Sequence, residues 1–167
     1  MASSSRTAIK KFVIDNTSTT IPTGVTLFST ITAVRFEPKV EKLGTNVYCW
    51  LGETRRSVSR FTLGRGTGQK TAVWSVQVML IATASDEQNG MDQFQAIVDS
   101  VATSYEGISL SPPPTITDPV TSGQTQVLII GENWSDVMYR PELTADQGRA
   151  VFRAVITVPV TEYLTAA

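Results

Sequence analysis

The sequence predicts a single α+β domain spanning residues 1–167: a mixed or mostly antiparallel sheet with a long basic β-hairpin, one central amphipathic helix packed on the sheet, and a short N-terminal helix. Three observations carry that expectation. The run TAVWSVQVMLIATA alternates with period two, placing Trp74, Val76, Val78, Leu80 and Ala82 on one face and Ser75, Gln77, Met79, Ile81 and Thr83 on the other. Directly after it, Met91, Phe94, Ile97, Val98, Val101 and Tyr105 recur at helical spacing. Near the end, Ala150, Phe152, Ala154, Ile156 and Val158 line one face of a last strand, where Pro159 marks an edge or an end.

Taken in chain order, residues 1–6 read as a flexible N-terminus and TAIKKFVID, 7–15, as a helix with Ala8, Ile9, Phe12 and Val13 on one stripe and a Ser or Thr to cap it. NTSTTIPTG breaks it. VTLFSTITAVRF, 25–36, is β-branched and read as extended; EPKVEKLGTN is a charged turn, VYCWLG a strand and ETRR another turn. SVSRFTLG alternates again and leads into the glycine-rich tip of the hairpin. Asn89 is positioned to cap the central helix and Gly107 to end it. Four of the eight prolines fall in or next to residues 109–123, a stretch without periodicity that reads as a long loop or arm with polyproline II character. TQVLIIG resumes as a strand, and ENWSDVMYRPELTADQG wanders over the surface.

The hairpin tip invites a comparison with phosphate-binding loops, since Gly64, Gly66, Gly68 and Lys70 crowd one short stretch. A phosphate-binding loop needs Gly-Lys-Ser/Thr in direct succession and a helix to follow, so that consecutive N–H groups and the helix N-terminus face the phosphates. Gln69 puts Lys70 one residue out of register, and a strand follows. The glycines therefore serve positive-φ positions of a turn, and no cofactor is expected.

Composition removes most chemistry. The chain has no histidine, the commonest general base and zinc ligand, and a single cysteine, Cys49, whose place on a strand reads as a buried small hydrophobe. Asp86, Glu87 and Asp92 lack the alternating ligands of a calcium loop and read as a solvated turn and helix start. No catalytic or metal site is expected. The first residues lack the apolar stretch of a secretory signal and no run spans a bilayer, so a soluble, unprocessed chain without membrane contact is expected. Charged residues make up 17% of the chain against about 25% in typical domains, with Thr and Ser taking their place, as suits a surface largely covered by partners.

Charge is segregated along the chain. From Thr54 to Ser85 there are five bases, Arg55, Arg56, Arg60, Arg65 and Lys70, and no acid; from Asp86 to Asp146 there are ten acids and one base, Arg140. Opposite patches on neighbouring copies attract, and a heterologous contact closes into a ring when its rotation permits. A strand over 71–84 would run about 45 Å, too long for one small core, so only its second half is expected to be covered. Arg55, Arg56, Arg60, Arg65 and Lys70, with Met79 and Ile81 from the strand's second face, are therefore the expected assembly interface.

The strand AVWSVQVMLIATASD, the helix MDQFQAIVDSV after it and the closing FRAVITVPVTEY resemble the tail terminator and tail completion (neck) proteins of long-tailed bacteriophages. The resemblance covers roughly residues 45–163 and implies a virion structural protein, assembled in the host cytoplasm, without enzymatic activity. It implies a homo-oligomeric ring, commonly a hexamer, that caps the tail tube protein, meets the head-connector protein and lets DNA pass through its lumen. The N-terminal segment and the proline-rich loop depart from the pattern, which leaves another neck or tail-tube component open. A second class of function also stays open: a nucleic-acid-binding module using the basic hairpin 55–70 with Trp50, Phe61 and Trp74 to stack bases, although the net charge of −1 is unlike a dedicated binder. The register argument at the tip makes a direct prediction. Equilibrium dialysis with ATP or GTP and magnesium should show no saturable binding, and a micromolar dissociation constant would overturn it.

Overall fold

The computed structural model describes residues 5–60, 70–106, 108, 114–118, 122, 124–129, 138–139 and 148–164. Helix α1 spans Arg6–Asp15 and strand β1 Thr30–Ala33; a single 3-10 turn follows at Val40–Lys42, then β2 (Asn46–Arg60), β3 (Lys70–Ala84) and α2 (Glu87–Glu106). The rest is strand: β4 (Thr115–Thr117), β5 (Gln124–Ile129), β6 (Met138–Tyr139) and β7 (Ala150–Leu164). The sheet order is β1-β2-β3-β7-β5-β4, with β6 also on β7; β1 pairs parallel to β2 and all the other pairs are antiparallel. This is the α+β fold with a mixed sheet that the sequence predicts.

Both helices pack their apolar stripes onto one face of the sheet. Ala8, Ile9, Phe12 and Val13 of α1 are buried, as are Phe94, Ile97, Val98, Val101 and Tyr105 of α2, in one cluster with Trp74, Val76, Val78, Leu80 and Ala82 of β3 and Phe152 to Val160 of β7. Phe94 stacks on Phe152 at 5.8 Å and meets Phe28 edge-on at 6.4 Å. The Tyr105 hydroxyl and Thr17 Oγ1 share a buried hydrogen bond of 2.6 Å that ties the ends of the helices together. On this face burial runs the whole way from Ala72 to Ala84 rather than over half the strand, because α1 and the β4–β5 pair extend the cover. Asp118, buried at the end of β4, accepts the Ser5 N–H at 2.8 Å, a carboxylate set at the positive end of α1.

Several local expectations are corrected. Ser5 caps α1, its side chain accepting from Ala8 N, so Ser5 and Arg6 belong to the helix start. Of residues 25–36 only Thr30–Ala33 is strand. Glu53–Arg56 is no turn: β2 runs through it, with a bulge between Leu51 and Thr54 that sets Gly52 and Glu53 against the single residue Gln77. Helix α2 begins at Glu87, and its capping oxygen is Asp86 Oδ1, which accepts from Asn89 N at 3.0 Å; Asn89 is not the cap. The proline-rich stretch contributes β4, and Met138–Tyr139 pair with Val155 and Ala154. Pro159 neither ends nor edges its strand: it pairs with Ser75 on one side, and on the other it lies between the β6 pairs and the β5 pairs. A proline fits a strand interior where its missing N–H faces no acceptor. The hairpin tip and Gly107 lie outside the described residues.

The segment after β1 crosses to the opposite face of the sheet, where Leu43 closes over Trp50, Ile81 and Val151 in a second small core. Gly44, at φ +56°, supplies the turn, and its carbonyl accepts from Thr83 Oγ1 at 3.2 Å and from the Arg149 guanidinium at 2.8 Å. Gly90 sets how closely α2 approaches the sheet. A Cβ there would lie 2.8 Å from Ala84 Cβ and 3.0 Å from the Phe152 ring. Helix propensity favours Ala over Gly by about 1 kcal/mol, but forced overpacking costs about 1–3 kcal/mol. Because Ala84 is short and held by the strand, Gly90→Ala should lower stability by about 1 kcal/mol in urea unfolding; an unfolding midpoint raised by the substitution would refute this packing.

Candidate functional site

The bulge at Gly52–Glu53 divides the basic hairpin between two faces. Before it Cys49 and Leu51 pair with Leu80 and Val78; after it Thr54 pairs with Val76 and Arg56 with Trp74 on the helix side, while Arg55 and Ser57 pair with Ser75 and Val73 on the other. Arg55 is not a bare charge. Its Nε and Nη2 donate to the two Glu53 oxygens at 2.9 and 3.1 Å, which holds the Glu53 carboxyl below its usual range and raises the guanidinium. Both groups are exposed, so this pair sets geometry more than stability.

Arg56 lies 5.3 Å from the centre of the Trp74 ring, and the Trp74 indole N–H donates to Glu162 Oε2 at 2.6 Å. Glu162 is fully buried, so the stack Arg56–Trp74–Glu162 runs from solvent into the core across β2, β3 and β7. Arg60 pairs directly with Lys70 in the ladder, and Arg65 lies outside the described residues. The two apolar members of the expected interface separate: Met79 is half-buried, but Ile81 is 0% exposed in the second small core. Ile81 is thus covered by its own chain.

Around the hairpin the sheet's second face stays open. Arg55, Ser57 and Val73 are exposed, and Ser75, Gln77, Thr157 and Pro159 are partly so. The outer edge of β2 pairs with β1 only over Asn46–Cys49, leaving its later residues without a second strand among those described.

Two surface features escape the sequence reading. Beside β2, a groove of about 500 Å³ is lined by Lys10, Lys11 and Ile14 of α1, by Arg35 and Phe36, and by Leu51. Phe36 is 72% exposed, the most exposed large apolar residue described, and Arg35 lies 5.4 Å from its ring centre. Lys11 pairs with Asp15, and Arg153 holds Glu37 at 3.0 Å, so Lys10 and Arg35 keep the groove positive. The second is a hollow of about 430 Å³ at the start of α2, formed by Glu87, Gln88, Met91 and Asp92. The only sequence signal for the groove is an aromatic residue set among charges in VRFEPK.

No group of three or more His, Cys, Asp or Glu side chains that could hold a metal occurs among the described residues. No helix among them is long and apolar enough to cross a membrane. No protein-family model matches the chain, and no curated protein matches it.

The buried acids of the core yield a pH test. Desolvation pushes the Cys49 thiol from its ordinary 9.0 up to about 11, and burial raises the Tyr105 phenol as well. A raised folded value favours the protonated form, so the stability it contributes is present below the ordinary value and lost as pH rises through the raised one. The melting temperature should therefore fall between pH 9 and pH 11, and native protein should resist a thiol reagent at pH 8 that modifies the denatured chain at once. Rapid native modification would show that Cys49 is not buried as described.

Proposed function

We propose that this chain is a non-catalytic structural protein that assembles into a ring through its sheet and edges. Within that class the reading is a tail terminator or tail completion protein of a long-tailed bacteriophage, a virion component that caps the tail tube and joins it to the head connector.

The observation that carries the reading is the three-strand platform of β2, β3 and β7, each 15 residues long, with β3 and β7 covered on the helix side along their length, while the other face, past the small Leu43 core, is open around Arg55, Ser57, Val73, Ser75, Gln77 and Thr157. An isolated enzyme or monomeric binding domain has no need of so long a sheet with a weakly polar bare face. In a ring, that face, with Ser57, Ser75, Gln77 and Thr157, turns to the lumen, where hydroxyls and amides offer DNA no strong hold as it passes. A free-standing nucleic-acid-binding module draws less support, because Arg55 is paired with Glu53. Non-specific affinity for nucleic acid comes mostly from cations free to neutralise phosphates and so release the nucleic acid's counterions.

The test is assembly. Sedimentation and negative-stain microscopy of the purified protein should show a closed ring with an open lumen, and rings added to growing tail-tube subunits should halt tube growth. A strict monomer at every concentration, or tubes that grow on undisturbed, would defeat the reading.

A further inference from the structure

We infer that the ring is closed by a head-to-tail contact in which Phe36 of one copy, flanked by Arg35 and Lys10, enters the acidic hollow at the start of α2 on a second copy of this chain. The inference rests on the ring reading and names the surfaces that make it.

Three observations converge. Phe36, at 72% exposure, is an apolar knob; among the described residues the other exposed large apolar side chains are Val58 and Val73. A phenyl ring left in water gains from transfer onto apolar surface, and aromatic and Arg anchors dominate protein contacts. The hollow at α2 offers Met91 as an apolar, adaptable contact beside Glu87, Gln88 and Asp92. The charges also match. From Asp86 to Asp99 the helix carries Asp86, Glu87, Asp92 and Asp99, all exposed, and no base, whereas Lys10 and Arg35 are the cations left at the knob after Lys11 pairs with Asp15 and Arg153 with Glu37. The positive end of the helix offsets only about half a charge of this acidic surface.

Phe36 stands 72% exposed, so a single copy leaves its own knob unfilled. The knob lies beside α1 and Leu51 of β2, while α2 packs over β3 and β7. A contact between unlike patches on two copies repeats until it closes into a ring or runs on as a filament. The open groove that Phe36 lines together with Ile14 and Leu51 would receive the first turn of the neighbour's α2.

The experiment uses two exposed-surface variants of the full chain, R35E/F36A and E87K/D92K, each checked for a wild-type melting curve. Each should sediment as a monomer where wild type is a ring, with the subunit dissociation constant raised about 30-fold or more, as expected for loss of a central anchor. Mixed one to one, they should form a dimer and stop there, because one keeps an intact hollow and the other an intact knob. If wild type forms rings and both variants do so equally well, the Phe36 contact is wrong and the ring reading stands. If both variants are monomeric but their mixture stays monomeric, the pairing of knob with hollow is wrong. A wild type that remains monomeric at every concentration overturns contact and ring together.

Discussion

Fifteen consecutive cross-strand pairs, from Lys70 opposite Leu164 to Ala84 opposite Ala150, tie β3 to β7 without a bulge, and the other elements take their places from that ladder. Side chains alternate across a strand, so an unbroken register keeps Trp74, Val76, Val78, Leu80 and Ala82 beside Val160, Val158, Ile156, Ala154 and Phe152 along its whole length. A slip by one residue would turn Thr, Gln and Ser into the core. The two helices can then share one continuous apolar surface, and α2 descends onto it closely because Gly90 carries no Cβ. The partners in this ladder are far apart in sequence, so the chain must close a long loop before the pairing rewards it, the mark of a slow-folding topology.

Against that straight pair, β2 is the strand that changes face. Its first part places Cys49 and Leu51 inward; after the bulge the inward positions are Thr54, Arg56 and Val58. Without the bulge Glu53 and Arg55 would occupy the helix side, and Arg56 would lose the Trp74 ring. Gly52 permits the irregularity at close quarters, since a Cβ there would lie 3.2 Å from Met79 Cγ and 3.3 Å from Gln77 Cβ. The bulge also twists an otherwise open edge, one of the devices by which proteins discourage indiscriminate strand addition.

What was legible in the sequence follows from the range of the forces involved. Helix α2 and the inward faces of β3 and β7 were readable because each records its burial in a strict local period. The bulge was not, since ETRR offers no apolar residue to mark the change of face and looks like a turn; the glycine before it was the available clue. Pro159 misled for a different reason. That β3 pairs with β7 straight through Pro159, from Lys70 to Ala84, is a long-range fact that no window around residue 159 contains. Ile81 was assigned to its face correctly, but the cover over it comes from Leu43, held by Gly44 through Thr83 and Arg149. Phe36 is the converse case, an aromatic that local pattern assigns to a strand and tertiary structure leaves in water.

These placements alter how charge can act between copies. A count along the sequence makes the hairpin the obvious positive pole, yet Arg55 is paired with Glu53 and Arg56 is engaged by Trp74, whose indole N–H is bonded to Glu162. An ion pair seen from outside the Debye length, about 8 Å at physiological salt, is nearly neutral. Lys10 and Arg35 form a second positive surface, and there the charge coincides with exposed apolar surface. Exposed salt bridges contribute only about 0–1 kcal/mol each, so charge there would orient an approaching acidic helix while burial of the Phe36 ring holds it. In the proposed contact, orientation and affinity would thus fall to adjacent residues, Arg35 and Phe36.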